Sequence, residues 1–363
     1  MKLATAVLVR ANQNHMATTF EFTVSCERGD VVRAKNVLDE AHARVSRMED
    51  ELSEFRPDSP VSRLNRARAL EKIEATPDLL AILELADRIR TETTGSFDCT
   101  FRSKDCEVAP AERLKWNRSA NTVWKTHDRV HVGFGAIGKG YALDVVCLLI
   151  EQAGFENYLL SAGGSSIVIS GYYCQGRPWQ WGWSWSRDDE GAPLGVRFEH
   201  SEGQRIAIGV SGTHEQGRHI VNPQAGNNPD NLKSALVAQS SCAEADALST
   251  ALFVSGHSPA KRDRSPVAWI DGTGRASWNR AFQSLWGSVG LFALFCLWPA
   301  LTFAADDEAV DLSSMGADAF TPYIFERRFW WIALPSFMLG MILLHLLKNK
   351  PAKRQGSHGN EKK

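Results

Sequence analysis

The sequence predicts an α+β domain with a central sheet, followed by a carboxy-terminal hairpin of two membrane-spanning helices. Three observations lead there. Up to about residue 277, short apolar strands are mixed with helices that carry ordinary start and stop signals. Residues 285–304 and 329–347 are then uncharged runs, long enough to cross a hydrocarbon core of roughly 30 Å. The length of 363 residues accommodates one large domain with an appendage. The predicted division is therefore 1–277 for the globular domain and 278–363 for the membrane region.

The first strand is expected in the amino-terminal stretch, where Arg10 interrupts a short apolar run too polar for a secretory signal. A second follows at 20–26, and 31–52 has the spacing of an amphipathic helix. Thr76-Pro77-Asp78 supplies a helix N-cap and a proline at the first helical position. Leu79, Leu83, Ala86 and Ile89 then repeat at helical spacing, and Gly95 closes the segment. A further helix is predicted at 138–153, ended by Gly154, with strands at 158–161, 166–170 and 205–211 between glycine-rich turns. Trp179, Trp181, Trp183 and Trp185 alternate, which puts them on one face of a strand. Large aromatics mostly serve burial, so a packing wall is favoured over a ligand-stacking platform.

Charge sets the expected topology. Residues 305–328 carry six acidic residues and two arginines, whereas 348–363 carry six basic residues and one acid. Positive charge collects on the cytoplasmic side. The tail, and with two spans the large domain, are thus expected in the cytoplasm at the inner membrane. The formal net charge of -1 gives no support to a nucleic-acid partner. Seven scattered cysteines, without a CxxC pair, suggest neither a disulfide framework nor a zinc site.

Four segments carry groups suited to chemistry. Phe134-Gly135-Ala136-Ile137-Gly138-Lys139-Gly140 stands at a strand-to-helix junction, where backbone N–H groups and a lysine can meet a phosphate. In Ala243-Glu244-Ala245-Asp246-Ala247-Leu248-Ser249-Thr250, Asp246 and Thr250 share a helix face and offer oxygen ligands to Mg2+. His219-Ile220-Val221-Asn222-Pro223 places a histidine before a turn, where it could handle a proton or hold a phosphate. Gly95-Ser96-Phe97-Asp98 follows the capped helix. Read alone, each also admits a plainer role as turn, cap or satisfied polar group.

In order, the chain reads Met16-Ala17-Thr18-Thr19-Phe20, Phe55-Arg56-Pro57-Asp58-Ser59, Ser62-Arg63-Leu64-Asn65, then the four segments with Ala162-Gly163-Gly164 among them. This succession, over roughly residues 10–256, resembles the ApbE-type FAD:protein FMN transferases. Their motifs run MGTTF, YxxDSxxSxLN, GxFDxT, DxGAIAKGYAxD, NxGG, HIxDP and ADALSTAL. The resemblance implies a single α+β domain with FAD as substrate in a cleft and Mg2+ as cofactor at its diphosphate. It implies that Met16, Phe55, Asn65, Ser96, Phe97, Asp98, Lys139 and His219 line the FAD site. The metal would take the Ala136 backbone oxygen with the side chains of Asp246 and Thr250, while His219 and Asp98 would serve catalysis. The implied reaction moves FMN to a threonine or serine of an acceptor flavoprotein and releases AMP. With the membrane region, the expected acceptor is a membrane electron-transfer subunit. The sequence departs from the pattern at Ala17, Phe55, Gly133 and Ala162, where the family has Gly, Tyr, Asp and Asn. Hydrolysis of FAD to FMN and AMP, or FAD carriage without turnover, are the rival expectations.

Overall fold

The computed structural model describes residues 6–187, 193–200, 205–213, 220–256 and 265–286, all within one unit of the chain, Met1–Leu301. The chain opens with β1 (Ala6–His15) and β2 (Thr18–Glu27), then α1 (Val31–Leu52) and α2 (Pro60–Arg66). Next come β3 (Ile73–Glu74), α3 (Pro77–Glu92), β4 (Leu114–Asn117) and β5 (Thr122–Lys125). α4 (Gly138–Gln152) precedes β6 (Tyr158–Ala162), β7 (Ser166–Ser170), β8 (Trp179–Arg187), β9 (Pro193–His200) and β10 (Ile206–Gly212). β11 (Leu232–Gln239), α5 (Cys242–Ser255), β12 (Val267–Asp271), β13 (Ala276–Trp278) and α6 (Arg280–Trp286) complete it.

Local signals act as expected. α1 buries Ala34, Leu38, Ala41, Val45, Met48 and Leu52 at helical spacing. The Thr76 hydroxyl accepts from the Leu79 N–H at 3.2 Å, and Pro77 occupies the first turn of α3. Gly95 and Gly154 have φ of 83° and 82°, the left-handed conformation that lets the chain leave α3 and α4.

The central sheet has the order β1-β2-β6-β7-β10-β11-β12-β13, and every neighbouring pair is antiparallel. Its central strands are buried on both faces, with apolar runs Ile167-Val168-Ile169 in β7 and Ala235-Leu236-Val237-Ala238 in β11. Val168, Ala207, Ala235 and Val237 face the main core with α1, α3, α4 and α5. Their neighbours Ile167, Ile169, Ile206, Ile208, Leu236 and Ala238 face a second core. The hairpin of β8 and β9 closes that side with Trp179, Trp181, Trp183 and Phe198. The Trp179 indole donates to the Ser170 carbonyl at 3.0 Å, and that of Trp183 to the Ser234 hydroxyl at 2.9 Å. These three tryptophans are packing residues. The expected alternation meets a register shift between Ser184 and Ser186, at the fourth, Trp185.

Phe282 on α6 is buried against Phe198, so packing of this unit continues past the boundary expected at 277. Among the described residues no helix is long and apolar enough to cross a membrane. Apart from Leu285 and Trp286, the candidate spans 285–304 and 329–347 lie outside the described residues.

The two-residue turn between β1 and β2 is made by Met16 and Ala17, with φ of 49° and 59°. A turn with two positive φ angles suits Gly or Asn, and alanine is strained there. Ala17→Gly is expected to raise stability by about 0.5–1 kcal/mol, the relief being partly offset by unfolded-chain entropy. Thermal unfolding of the two proteins side by side checks this.

Candidate functional site

One row of paired residues runs across the sheet at the end where the sequence motifs converge. Phe20 pairs with Ala162, Ala162 with Ser166, and Ser166 with Gly209. The turn between β6 and β7 therefore lies beside the Met16-Ala17 turn. The Gly163 N–H donates to the Thr19 carbonyl at 2.9 Å, and a Cβ on Gly163 would stand 2.3 Å from the Thr18 hydroxyl oxygen. Gly163 also has φ of 62°, so both space and conformation require glycine. Ala162, where the family pattern has Asn, is fully buried, and the neighbouring Ser161 hydroxyl instead accepts from the Gly164 N–H at 3.2 Å.

α4 begins without a side-chain cap, because Ile137 stands at its N-cap. Its first turn is held from outside. The Gly140 N–H donates to Asp246 Oδ2 at 2.8 Å, and Lys139 Nζ donates to the Ser165 hydroxyl at 2.6 Å. Asp144, further along the same helix, accepts from the Ser241 hydroxyl at 2.7 Å and from the N–H groups of Cys242 and Ala243 at 2.8 and 3.0 Å. It thus caps α5 and locks the two helices together. That role escaped the sequence reading, although an acid one turn beyond the glycines was a signal.

α5 rests against β10, where a Cβ on Gly209 would meet the Ala245 backbone at 2.3 Å. The helix thereby carries Asp246 into the buried end of the row. Asp246 Oδ2 also accepts from the Ser166 hydroxyl at 2.7 Å, while no hydrogen bond falls on Oδ1 among the described residues. Burial pushes its pKa up to about 7, against the pull of the Lys139 ammonium and the hydrogen bonds from Ser166 and Gly140. One turn on, the Thr250 hydroxyl lies 3.1 Å from that of Ser211, which also meets Ser249 at 2.8 Å. The Ala136 carbonyl, just ahead of α4, likewise receives no hydrogen bond among the described residues. The donors are all oxygens and include a single carboxylate. They fit a hard cation that completes its shell with water or phosphate oxygens. Among the described residues no group of three or more His, Cys, Asp or Glu could hold a metal.

The remaining predicted residues divide by what they touch. Phe55 is 79% exposed and free to stack on a ring. Met16 is half-buried against the main core. The Asn65 amide donates to the Val132 carbonyl at 2.9 Å and accepts from the Val132 N–H at 2.8 Å. It clamps the extended segment that leads into the Gly133–Gly138 turn, where the structure has no strand in place of the strand-to-helix junction expected. Phe97 is a core residue, and Ser96 is half-buried. Asp98 is buried, with Oδ1 accepting from the Thr100 N–H and hydroxyl, both at 2.7 Å, and Oδ2 lying 3.5 Å from Arg113. These contacts anchor the turn that follows Gly95. His219 lies outside the described residues; the turn that follows it reaches the Gly95 loop, where Gln224 Nε2 donates to the Thr94 carbonyl at 2.7 Å.

Fold and site together define an α+β protein with one polar site at the end of a central antiparallel sheet, where a lysine, a buried carboxylate and an uncapped helix start meet. The profile of the ApbE family matches residues 16–263. The chain belongs to the ApbE family. A FAD:protein FMN transferase of Vibrio cholerae is 26% identical over 289 residues, covering 70% of this chain and 85% of the relative. That of Escherichia coli K12 is 24% identical over 266 residues, covering 64% and 74%. Among solved structures, the flavin transferase ApbE from Vibrio cholerae superposes with a TM-score of 0.67 at 24% identity, covering 77% of this chain and 99% of that one. The apo flavinyl transferase ApbE from Pseudomonas stutzeri gives 0.67 at 23%, covering 79% and 99%. These two likenesses support the fold.

Proposed function

We propose that this chain transfers FMN from FAD, with Mg2+, to a threonine or serine hydroxyl of another protein and releases AMP. The observation that carries this reading is the buried Asp246 carboxylate beside Lys139, with one oxygen tied to α4 and β7 and no hydrogen bond on the other among the described residues. The names of the relatives support it.

In this reading Asp246, Thr250 and the Ala136 carbonyl would hold Mg2+, which when bound would supply positive charge to neutralise the diphosphate and the leaving phosphate. Lys139 and the first N–H groups of α4 hold phosphate oxygens. Phe55 and Met16 flank the ring systems, while Asn65, Asp98 and Asp144 keep the loops and helices that present these groups in place. The acceptor hydroxyl oxygen attacks the FMN-side phosphorus, the pyrophosphate P–O bond breaks, and AMP leaves with the electron pair. His219 takes the hydroxyl proton.

The test is incubation with FAD, Mg2+ and a candidate acceptor, followed by mass analysis. FMN on a threonine or serine supports the proposal. AMP and free FMN without labelling indicate a hydrolase, and FAD bound without turnover a carrier. We further propose that 285–304 and 329–347 anchor the chain in the inner membrane with the enzyme domain in the cytoplasm, beside an electron-transfer acceptor. The uncharged runs and the basic tail support this. Half-buried Cys106 is a suitable probe, whereas Cys147 is buried and its pKa is pushed up to about 12 by desolvation. Labelling of Cys106 from outside intact cells would reverse the topology.

A further inference from the structure

Gly133 is not among the positive-φ positions, so its backbone conformation does not call for glycine. A Cβ there would stand 2.8 Å from Glu54 Oε1, 3.2 Å from Cδ and 3.3 Å from Oε2. The Glu54 carboxylate thus fills the volume that a side chain at 133 would need.

Glu54 reaches this place from the loop that follows α1, next to the exposed Phe55. Ser53 shapes that loop, its hydroxyl accepting from the N–H groups of Phe55 and Arg56 at 3.1 and 3.2 Å. The Glu54 side chain is only 9% exposed. Oε2 accepts from Arg102 Nη1 at 2.5 Å and lies 2.9 Å from His131 Nε2. No hydrogen bond falls on Oε1 among the described residues. Gly133 itself is tied to the Gly95–Thr100 segment, its N–H donating to the Cys99 carbonyl at 2.9 Å. A nine-tenths buried carboxylate with one oxygen held by Arg102 and His131, and with no hydrogen bond on the other among the described residues, is costly unless a donor meets it.

We infer that Glu54 supplies, from the α1–α2 loop, the carboxylate that the family pattern places at residue 133, and that its Oε1 accepts a hydrogen bond from an amino, imino or hydroxyl donor of FAD. The inference rests on the FAD-dependent reading. The missing acid of the motif is then a relocation rather than a loss. Arg102 and His131 position the carboxylate by holding Oε2.

Four proteins test it: wild type, Glu54→Ala, Gly133→Asp and the double variant, each followed by FAD binding through flavin fluorescence and by thermal unfolding. Glu54→Ala is expected to weaken FAD binding roughly tenfold or more. Gly133→Asp alone is expected to weaken it as well, because two carboxylates then compete for one space. The double variant is expected to return to within about threefold of wild type, which a merely structural ion pair would not produce. If a single variant fails to fold, Glu54→Gln retains the size. Its carbonyl oxygen turns to Arg102, and its NH2 then replaces the Oε1 acceptor, so FAD binding still falls. A double variant no better than the weaker single one, or Glu54→Ala and Glu54→Gln binding FAD as wild type does, overturns the inference alone. A wild-type chain that binds no FAD overturns the functional reading and this inference with it.

Discussion

Asp246→Asn is expected to lower the rate of FMN transfer by about three orders of magnitude, the scale on which a metal's charge stabilisation acts in phosphoryl chemistry. The same change is expected to leave the metal-free protein no less stable at pH 8. Asn is close in shape and can still accept from the Gly140 N–H and the Ser166 hydroxyl, both of which hold Oδ2 now. The sign of the stability effect follows from the raised pKa of about 7. The folded chain holds this proton more tightly than the unfolded chain, so the wild-type carboxylate contributes most stability below the ordinary aspartate range. That contribution is lost as pH rises through about 7. Above that pH a buried charge remains, and the amide removes it. On the same logic, protons compete with the cation, and the Mg2+ concentration giving half-maximal rate is expected to fall as pH rises through about 7. Transfer rates at several pH values, with thermal unfolding in chelator, check both parts. A slow variant that has also lost several degrees of Tm in chelator would point to a structural carboxylate instead.

Gly140→Ala is expected to cost about 3 kcal/mol or more, and roughly 5–10 °C in Tm for a domain of this size. A Cβ at this position would lie 2.3 Å from the Cys242 carbonyl oxygen, 2.5 Å from its carbon and 2.7 Å from the Ala243 nitrogen. All three are backbone atoms, so no rotamer change relieves the contact and α4 must part from α5. The Gly140 hydrogen bond to Asp246 and the Asp144 cap of α5 would be disturbed together, so activity should fall with stability. Gly138→Ala, two residues earlier in the same helix, is the control. Its Cβ would sit 3.6 Å from that of Phe134, an ordinary contact, and its Tm should stay near wild type. Equal losses for both variants would show that helix-start flexibility, and not the approach of α5, is what matters.

What was legible in the sequence is what local chemistry encodes. The extent of α1 follows from apolar spacing, and the start of α3 from Thr76 and Pro77. The unbroken apolar runs of β7 and β10 reflect burial on both faces, and the alternating tryptophans reflect the wall over the second core. Lys139 and Asp246 were picked out by residue type and helix position, and the structure brings them to one end of the sheet. Partners supplied from far along the chain were not legible. Asn65 shows an amide in a helix, but nothing nearby says that it clamps Val132. For Asp98, the approach of Arg113 and the hydrogen bonds at Thr100 come from the fold and not from the residues beside it. Glu54 belongs to no motif, and its meaning depends on Gly133 lying against it. β11, β12 and the small sheet of β3, β5 and β4 also depend on pairings between distant segments, which single-sequence periodicity does not carry.

The pairing of β2 with β6 bears on how the chain is made. Phe20 must wait for Ala162, whereas the β1 to β2 hairpin closes through a two-residue turn as soon as it is synthesised. At about 5–20 residues per second, that wait lasts on the order of ten seconds. During it, β2 presents an unpaired strand edge and the side chains of Phe20, Phe22 and Val24, all of which end fully buried. The nascent hairpin thus carries an exposed apolar edge through most of the domain's synthesis, and the same segment later forms the second strand of the central sheet beside the Gly163 turn.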